Sequence, residues 1–152
     1  MLALGIISLV FSLIAISVSI YVYRKTKAVT TYSNIDRLYF DLLNMGIEHP
    51  DFVNPDYTQD YEKRFVGNQK IQYELYAFNA WNICETIYDR RKDSGVFESW
   101  KPVLENENAL HRRWFDRPAN KMKFKASFVT YVNEAADEDG NKIFPHSDRL
   151  LT

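Results

Sequence analysis

The chain has 152 residues, with 19 Lys and Arg against 20 Asp and Glu, which gives a formal net charge of −1. This balance argues against a general polyanion-binding protein, because such proteins carry a clear basic excess. A single cysteine, Cys84, excludes an internal disulfide, and the presence of only five glycines favours helices over a turn-rich β fold.

The N-terminus holds the most informative feature, an apolar run from Leu2 to Tyr23 without a charged residue. A run of this length is enough to cross the hydrocarbon core of a bilayer as a helix. A cleaved signal peptide is the alternative. It fits less well, because the start lacks a positive side chain and the run ends in bulky residues. The sequence therefore predicts a retained transmembrane anchor over residues 1–23.

Positive charge flanks only one end of this run, at Arg24, Lys25 and Lys27. Cytoplasmic flanks of membrane spans are enriched in Lys and Arg. We therefore expect a single-pass protein of the inner (cell) membrane, with its N-terminus outside and residues 24 onward in the cytoplasm. The lipid bilayer is its first expected partner.

Small residues recur along the anchor at spacings of three and four, which places them on one helical stripe. They are Gly5, Ser8, Ser12, Ala15 and Ser19. Lipid gives no hydrophobic drive to helix pairing, so close approach at small residues and interhelical hydrogen bonds must supply it. The stripe predicts a homo-oligomer or pairing with other membrane-protein subunits. The alternative is that each serine bonds a carbonyl of its own helix.

The remaining sequence predicts an all-α fold, in which the anchor continues into a cytosolic bundle of about four helices over residues 24–134. The first of these ends near Gly46, a plausible stop signal. The others are expected over residues 59–88, 96–115 and 120–134, and residues 135–152 form a polar C-terminal tail.

The second cytosolic helix contains polar residues among apolar neighbours, namely Asn79, Asn82 and Glu85. We expect a buried polar network in which Glu85 pairs with Arg112 or Arg113, because buried charges must be paired and such pairs are mostly structural. The alternative is that Glu85 serves as a catalytic acid or base.

Glu107 and His111 lie four residues apart on the third cytosolic helix and could face one metal ion. Two ligands are too few for a site, so we expect no metal and a surface histidine. No phosphate-binding loop, nucleophile elbow or other catalytic motif appears, so the sequence predicts no cofactor and no catalytic residue.

A basic segment follows, with Trp114 and Phe124 interleaved among its cations. Its candidate contacts for lipid or another anion are Arg117, Lys121, Lys123 and Lys125. An anionic inner leaflet or simple solvation suits such a patch. Nucleic acid is disfavoured as a partner, because the chain as a whole is not basic.

Several sequence features resemble uncharacterised bacterial inner-membrane proteins that join one N-terminal span to a helical cytosolic domain. They are the segment from Met45 to Asp51, the Asn79-x-x-Asn-x-x-Glu pattern, Trp100 and Trp114.

More loosely, the layout is similar to CRISPR-associated accessory proteins that pair a span with a HEPN-like helical domain. HEPN nucleases need Arg, then four to six residues, then His. His49, His111 and His146 lack such an Arg, so the resemblance is architectural and puts ribonuclease activity in doubt.

Together these features predict a membrane-anchored helical interaction or assembly module that self-associates. The alternative is a channel-forming or membrane-disrupting effector gated by its cytosolic domain. An enzyme centred on Glu85 is the third hypothesis.

Overall fold

The computed structural model describes residues 2–92 and 94–134, with side chains for all of these except 2–8, 10, 27–29, 31–32 and 94. Within these ranges every regular element is a helix and no β-strand is present, so the predicted all-α class is confirmed. The segment predicted as a tail, residues 135–152, lies outside the described residues.

The helices follow in chain order as α1 (Leu2–Glu48), a 3-10 turn (Pro50–Val53), α2 (Pro55–Thr58), α3 (Tyr61–Arg64), α4 (Gly67–Tyr88), α5 (Ser94–Phe115), α6 (Pro118–Lys121) and α7 (Ala126–Glu134). The chain divides into two compact units, Met1–Asp36 and Arg37–Thr152. We name them the N-terminal unit and the helical body. Helix α1 continues past Tyr23 because neither proline nor glycine interrupts residues 6–45.

The apolar run of the N-terminal unit has exposed side chains. Between Leu9 and Tyr23, the exposed fraction of the large apolar side chains that are described ranges from 50% at Ile20 to 68% at Phe11. Among the described residues, however, no helix is both long enough and apolar enough to cross a membrane. This finding does not support the predicted anchor.

The core of the helical body lies where α4, α5 and α7 meet. Trp81 of α4 stacks on Phe115 of α5 with ring centroids 4.1 Å apart. Phe128 of α7 meets both rings edge-on at 6.1 Å. All three side chains are buried. Because edge-to-face and offset stacking are favourable aromatic geometries, these rings fix the relative positions of the three helices.

A second aromatic group holds the short elements that precede α4. Phe52 of the 3-10 turn lies edge-on to Phe65 at 5.3 Å, and Phe65 lies 4.7 Å from Tyr73 of α4. Tyr61 of α3 lies 5.1 Å from the same Tyr73 ring. The segment between α1 and α4 is therefore ordered, because its aromatic side chains pack on Tyr73 of α4.

The helix predicted over residues 59–88 is wrong in its first part. Phe65 and Val66 are extended, and Gly67 has a φ of 56°, in the left-handed region that favours glycine. This backbone breaks the helix, so α4 begins only at Gly67. The helix predicted over residues 120–134 is also divided, because α6 ends at Lys121 and α7 begins at Ala126.

Gly46 does not end α1, which continues to Glu48. A Cβ atom at this position would lie 3.1 Å from Cγ1 of Val53 and 3.2 Å from the hydroxyl of Tyr76. Gly46 is therefore needed for close packing, since it lets the 3-10 turn and α4 approach the backbone of α1.

Candidate functional site

Helix α5 carries ionisable side chains on its buried face. Glu107 is 3% exposed, and His111 and Arg112 are fully buried. Leu104 and Trp114 are buried on the same helix. The spacing of three and four residues places Glu107 and His111 within this apolar stripe, so packing against α4 takes them out of water.

Glu107, His111 and Tyr73 form a connected buried group. His111 Nε2 lies 3.5 Å from Oε2 of Glu107, and its Nδ1 lies 3.1 Å from the hydroxyl of Tyr73. Asn106 donates a hydrogen bond of 3.1 Å to the other carboxylate oxygen, Oε1. Among the described residues, neither His111 Nε2 nor Glu107 Oε2 has a closer hydrogen-bond partner. The surface histidine expected at position 111 is therefore wrong.

Burial shifts the two ionisable groups in opposite directions. It raises the pKa of Glu107 to about 7, although the hydrogen bond from Asn106 acts the other way. It lowers the pKa of His111 to about 3. Both shifts follow from the cost of holding a charge away from water. Between these two pH values, the native state holds Glu107 as a neutral carboxylic acid and His111 as a neutral imidazole.

A pocket of about 510 Å³ opens beside Glu107. Its lining combines one carboxylate and one amide with aromatic and aliphatic side chains, among them Tyr39, Tyr76, Asn106, Glu107 and Leu110. Pockets of this size and mixed character suit small molecules. Of the described residues, no group of three His, Cys, Asp or Glu is placed to hold a metal ion.

Arg112 is the centre of a separate network. Its guanidinium donates to Oδ1 of Asp116 at 3.0 Å, to the carbonyl of Val132 at 3.1 Å, and to Oδ1 of Asn133 at 2.7 Å. It also donates to Asn108 at 3.3 Å. This buried cation therefore joins α5 to the end of α7. Arg113, by contrast, is exposed and lines another pocket with Asp56 and Lys63.

Glu85 has a different partner from the one predicted. Its carboxylate accepts a hydrogen bond of 2.7 Å from the backbone N–H of Lys125, the residue before α7. The glutamate of a capping box makes the same contact within one helix. Here α4 supplies the carboxylate to the start of α7. Glu85 and Arg112 thus hold α7 at opposite ends.

Asn79 and Asn82 lie away from both networks. They line a groove of about 270 Å³ together with Asp41 and Leu42 of α1. The Asn82 amide donates to the carbonyl of Phe78 at 3.0 Å, within its own helix. The five residues predicted as one buried network therefore occupy separate places in the body.

Every cation of the predicted basic patch has an acceptor within the body. Arg117 pairs with Glu62, Lys125 pairs with Asp89, and Lys121 lies 2.9 Å from Asp116. Lys123 donates to Oδ1 of Asn120 at 2.8 Å. The three carboxylate pairings reduce the positive field that a lipid headgroup or another anion would meet.

The predicted features of the N-terminal unit are described in part. Arg24 and Lys25 are exposed, as are Ser12, Ala15 and Ser19 of the small-residue stripe. The Ser19 hydroxyl donates to the carbonyl of Ala15 at 2.8 Å, which matches the alternative of a bond within the helix. The side chains of Gly5, Ser8 and Lys27 lie outside the described residues.

Comparison with protein-family models, curated proteins and solved structures finds no match to this chain. The Glu107–His111–Tyr73 group is the part of the body in which ionisable side chains are buried beside a pocket.

We expect the variant Glu107→Gln to change the pH dependence of stability. The native pKa of Glu107 lies near 7, above its unfolded value, so this carboxyl contributes stability at low pH that is lost as the pH rises from about 4.5 to 7. Glutamine removes this loss. Relative to the wild type, the variant should gain on the order of 3 kcal/mol between about pH 4 and pH 8.

Urea unfolding of the full chain, followed by tryptophan fluorescence across this pH range, measures the effect. Glu105→Gln is the control, because Glu105 is exposed on the same helix. Parallel stability profiles for Glu107→Gln and the wild type would contradict the burial of an ionisable carboxyl at this position.

We also expect Glu85→Ala to destabilise the helical body by about 1–2 kcal/mol, because the N-terminus of α7 loses its acceptor. Glu85→Gln keeps an oxygen acceptor and should cost less than half as much. Thermal melting by circular dichroism compares the two with Glu105→Ala as control. Identical melting of all four proteins would mean that the contact with Lys125 contributes nothing.

Proposed function

We propose that this chain is a single-span membrane protein whose helical body is a cytoplasmic interaction or assembly module. The observation that carries the proposal is the exposure of every described large apolar side chain between Leu9 and Tyr23. A helix that is apolar on all faces has no polar side for water and is typical of a membrane span. The exposed Arg24 and Lys25 follow it directly, as on the cytoplasmic flank of a span.

Two further observations support the span. The apolar run begins at Leu2, so residues 2–8 extend it beyond the side chains that are described. The hydroxyls of Ser17 and Ser19 donate to the carbonyls of Leu13 and Ala15 at 2.9 and 2.8 Å. Such bonds satisfy polar groups inside the helix, which lowers the cost of placing serine in lipid.

The role as an interaction module is supported by the outer surface of the body. Val66, Ile71 and Leu75 are 71%, 58% and 59% exposed, and the last two lie one helical turn apart on α4. Met122, just after α6, is 82% exposed. Exposed apolar side chains of this kind are common at protein–protein contacts. Their partner would be another subunit of a membrane assembly or a second copy of the chain.

The topology can be tested with a single cysteine. Met122→Cys in a Cys84→Ala background places the only thiol at an exposed position of the body, because Cys84 itself is buried. A membrane-impermeant maleimide should label it in inverted membrane vesicles and not in intact cells. A cysteine added ahead of Leu2 is the control and should react from outside. Labelling of Met122→Cys in intact cells would refute the cytoplasmic placement.

Self-association through the small-residue stripe is tested by Ser12→Leu. Leucine should block close helix approach and weaken the oligomer by about tenfold, since such helix contacts contribute about 1–2 kcal/mol. Ser17→Leu makes the same chemical change off the stripe and should leave association unchanged. Energy transfer between labelled chains in lipid bilayers, measured at several protein-to-lipid ratios, reports association. A wild-type chain that stays monomeric at every ratio would rule the stripe out.

A further inference from the structure

The pocket beside Glu107 has a mostly apolar lining that also contains polar side chains. Its rim and walls are formed by α1, the 3-10 turn, α4 and α5, with Leu43, Ile47, Val53 and Leu110 as aliphatic members. The hydroxyphenyl rings of Tyr39 and Tyr76 add aromatic surface. A ligand that fills this pocket must therefore offer an apolar body.

The acidic residue in the lining of the pocket is Glu107, which carries a carboxylate. Its two oxygens offer about four lone-pair positions. Asn106 occupies one at Oε1, and His111 lies 3.5 Å from Oε2, which no described residue approaches more closely as a donor. The carboxylate therefore retains unused acceptor capacity in a buried setting. Buried polar groups of this kind are normally satisfied.

The charge of a suitable ligand follows from the surroundings of Glu107. Its basic neighbour, His111, is kept neutral by burial, which lowers the pKa of the imidazole to about 3. The Arg112 guanidinium of the same helix is directed to Asp116, Val132 and Asn133. A cation that enters the pocket would supply the charge that this carboxylate lacks, and the faces of Tyr39 and Tyr76 would also attract it.

We propose that this pocket binds a small organic ammonium ion, whose N–H groups donate to the Glu107 carboxylate while its apolar body contacts Leu43, Val53 and Leu110. All of these residues belong to the helical body, so ligand binding does not require the membrane span or the assembly role.

Binding should depend on pH through Glu107 alone. The groups that face it are Tyr39 of α1, Tyr73, Tyr76 and Cys84 of α4, and His111 of α5. Burial raises the pKa of each tyrosine and of the thiol, and it keeps His111 neutral. Only the carboxyl, with a pKa of about 7, titrates near neutrality. Affinity should therefore rise as the pH increases from about 6 to 8, with release of a proton on binding.

The test uses the full chain in lipid nanodiscs, with isothermal titration calorimetry and empty nanodiscs as the blank. The probe is 2-phenylethylammonium, and 2-phenylethanol is its neutral match. At about pH 8 the ammonium ion should bind at least about tenfold more tightly than the alcohol. At about pH 6.5, the binding enthalpy of the ammonium ion should differ between two buffers of different ionisation enthalpy, because protons are released on binding.

Three variants locate the site. Glu107→Gln should remove the preference for the ammonium ion, and Glu105→Gln, an exposed change on the same helix, should keep it. Ile47→Trp fills the rim from a position that is 77% exposed, so it should weaken both probes while leaving the fold intact by circular dichroism. Equal binding of ammonium ion and alcohol, no binding at roughly 10 mM, or full ammonium affinity in Ile47→Trp would each overturn the proposal.

Discussion

The packing of α4 against α5 is the constraint on which the helical body depends. Trp81 stacks on Phe115, and its indole N–H donates to the carbonyl of His111 at 3.2 Å. This contact sets the rotation of α5 about its own axis. Once that rotation is fixed, Glu107, His111 and Arg112 must face inward, because they lie at buried positions of the same helix. The unusual polar content of the core is thus a consequence of aromatic packing.

Much of the fold could be predicted because helical periodicity is a strong signal. The expected ends of two helices at Tyr88 and Phe115 coincide with the ends of α4 and α5. The break before α4 could not be predicted in the same way. The left-handed conformation of Gly67 accompanies the aromatic contacts of Phe65 with Phe52 and Tyr73, and long-range packing of that kind leaves no local pattern.

The site was harder to predict than the fold. Ionisable residues are seldom fully buried, and the expected surface position of His111 is wrong. The available signal was the spacing of His111 relative to Leu104 and Trp114, which places it within an apolar stripe. Glu85 presents the opposite case. Its apolar neighbours suggested an ion pair, whereas its partner is the backbone N–H of Lys125. Residue types alone do not reveal which backbone N–H groups lack a backbone acceptor in the folded chain.

The position of Arg112 has a consequence for the order in which the chain can mature. Its guanidinium is fully buried, and two of its acceptors, at Val132 and Asn133, belong to the last described helix. During synthesis, α5 leaves the ribosome before those acceptors exist. Before α7 is made, Arg112 has only part of its acceptors, those on Asn108 and Asp116. Burying a cation whose partners are incomplete is unfavourable, so the closed core becomes fully stable only when α7 has emerged. Final closure of the core is therefore a late step of synthesis, which follows the appearance of α7.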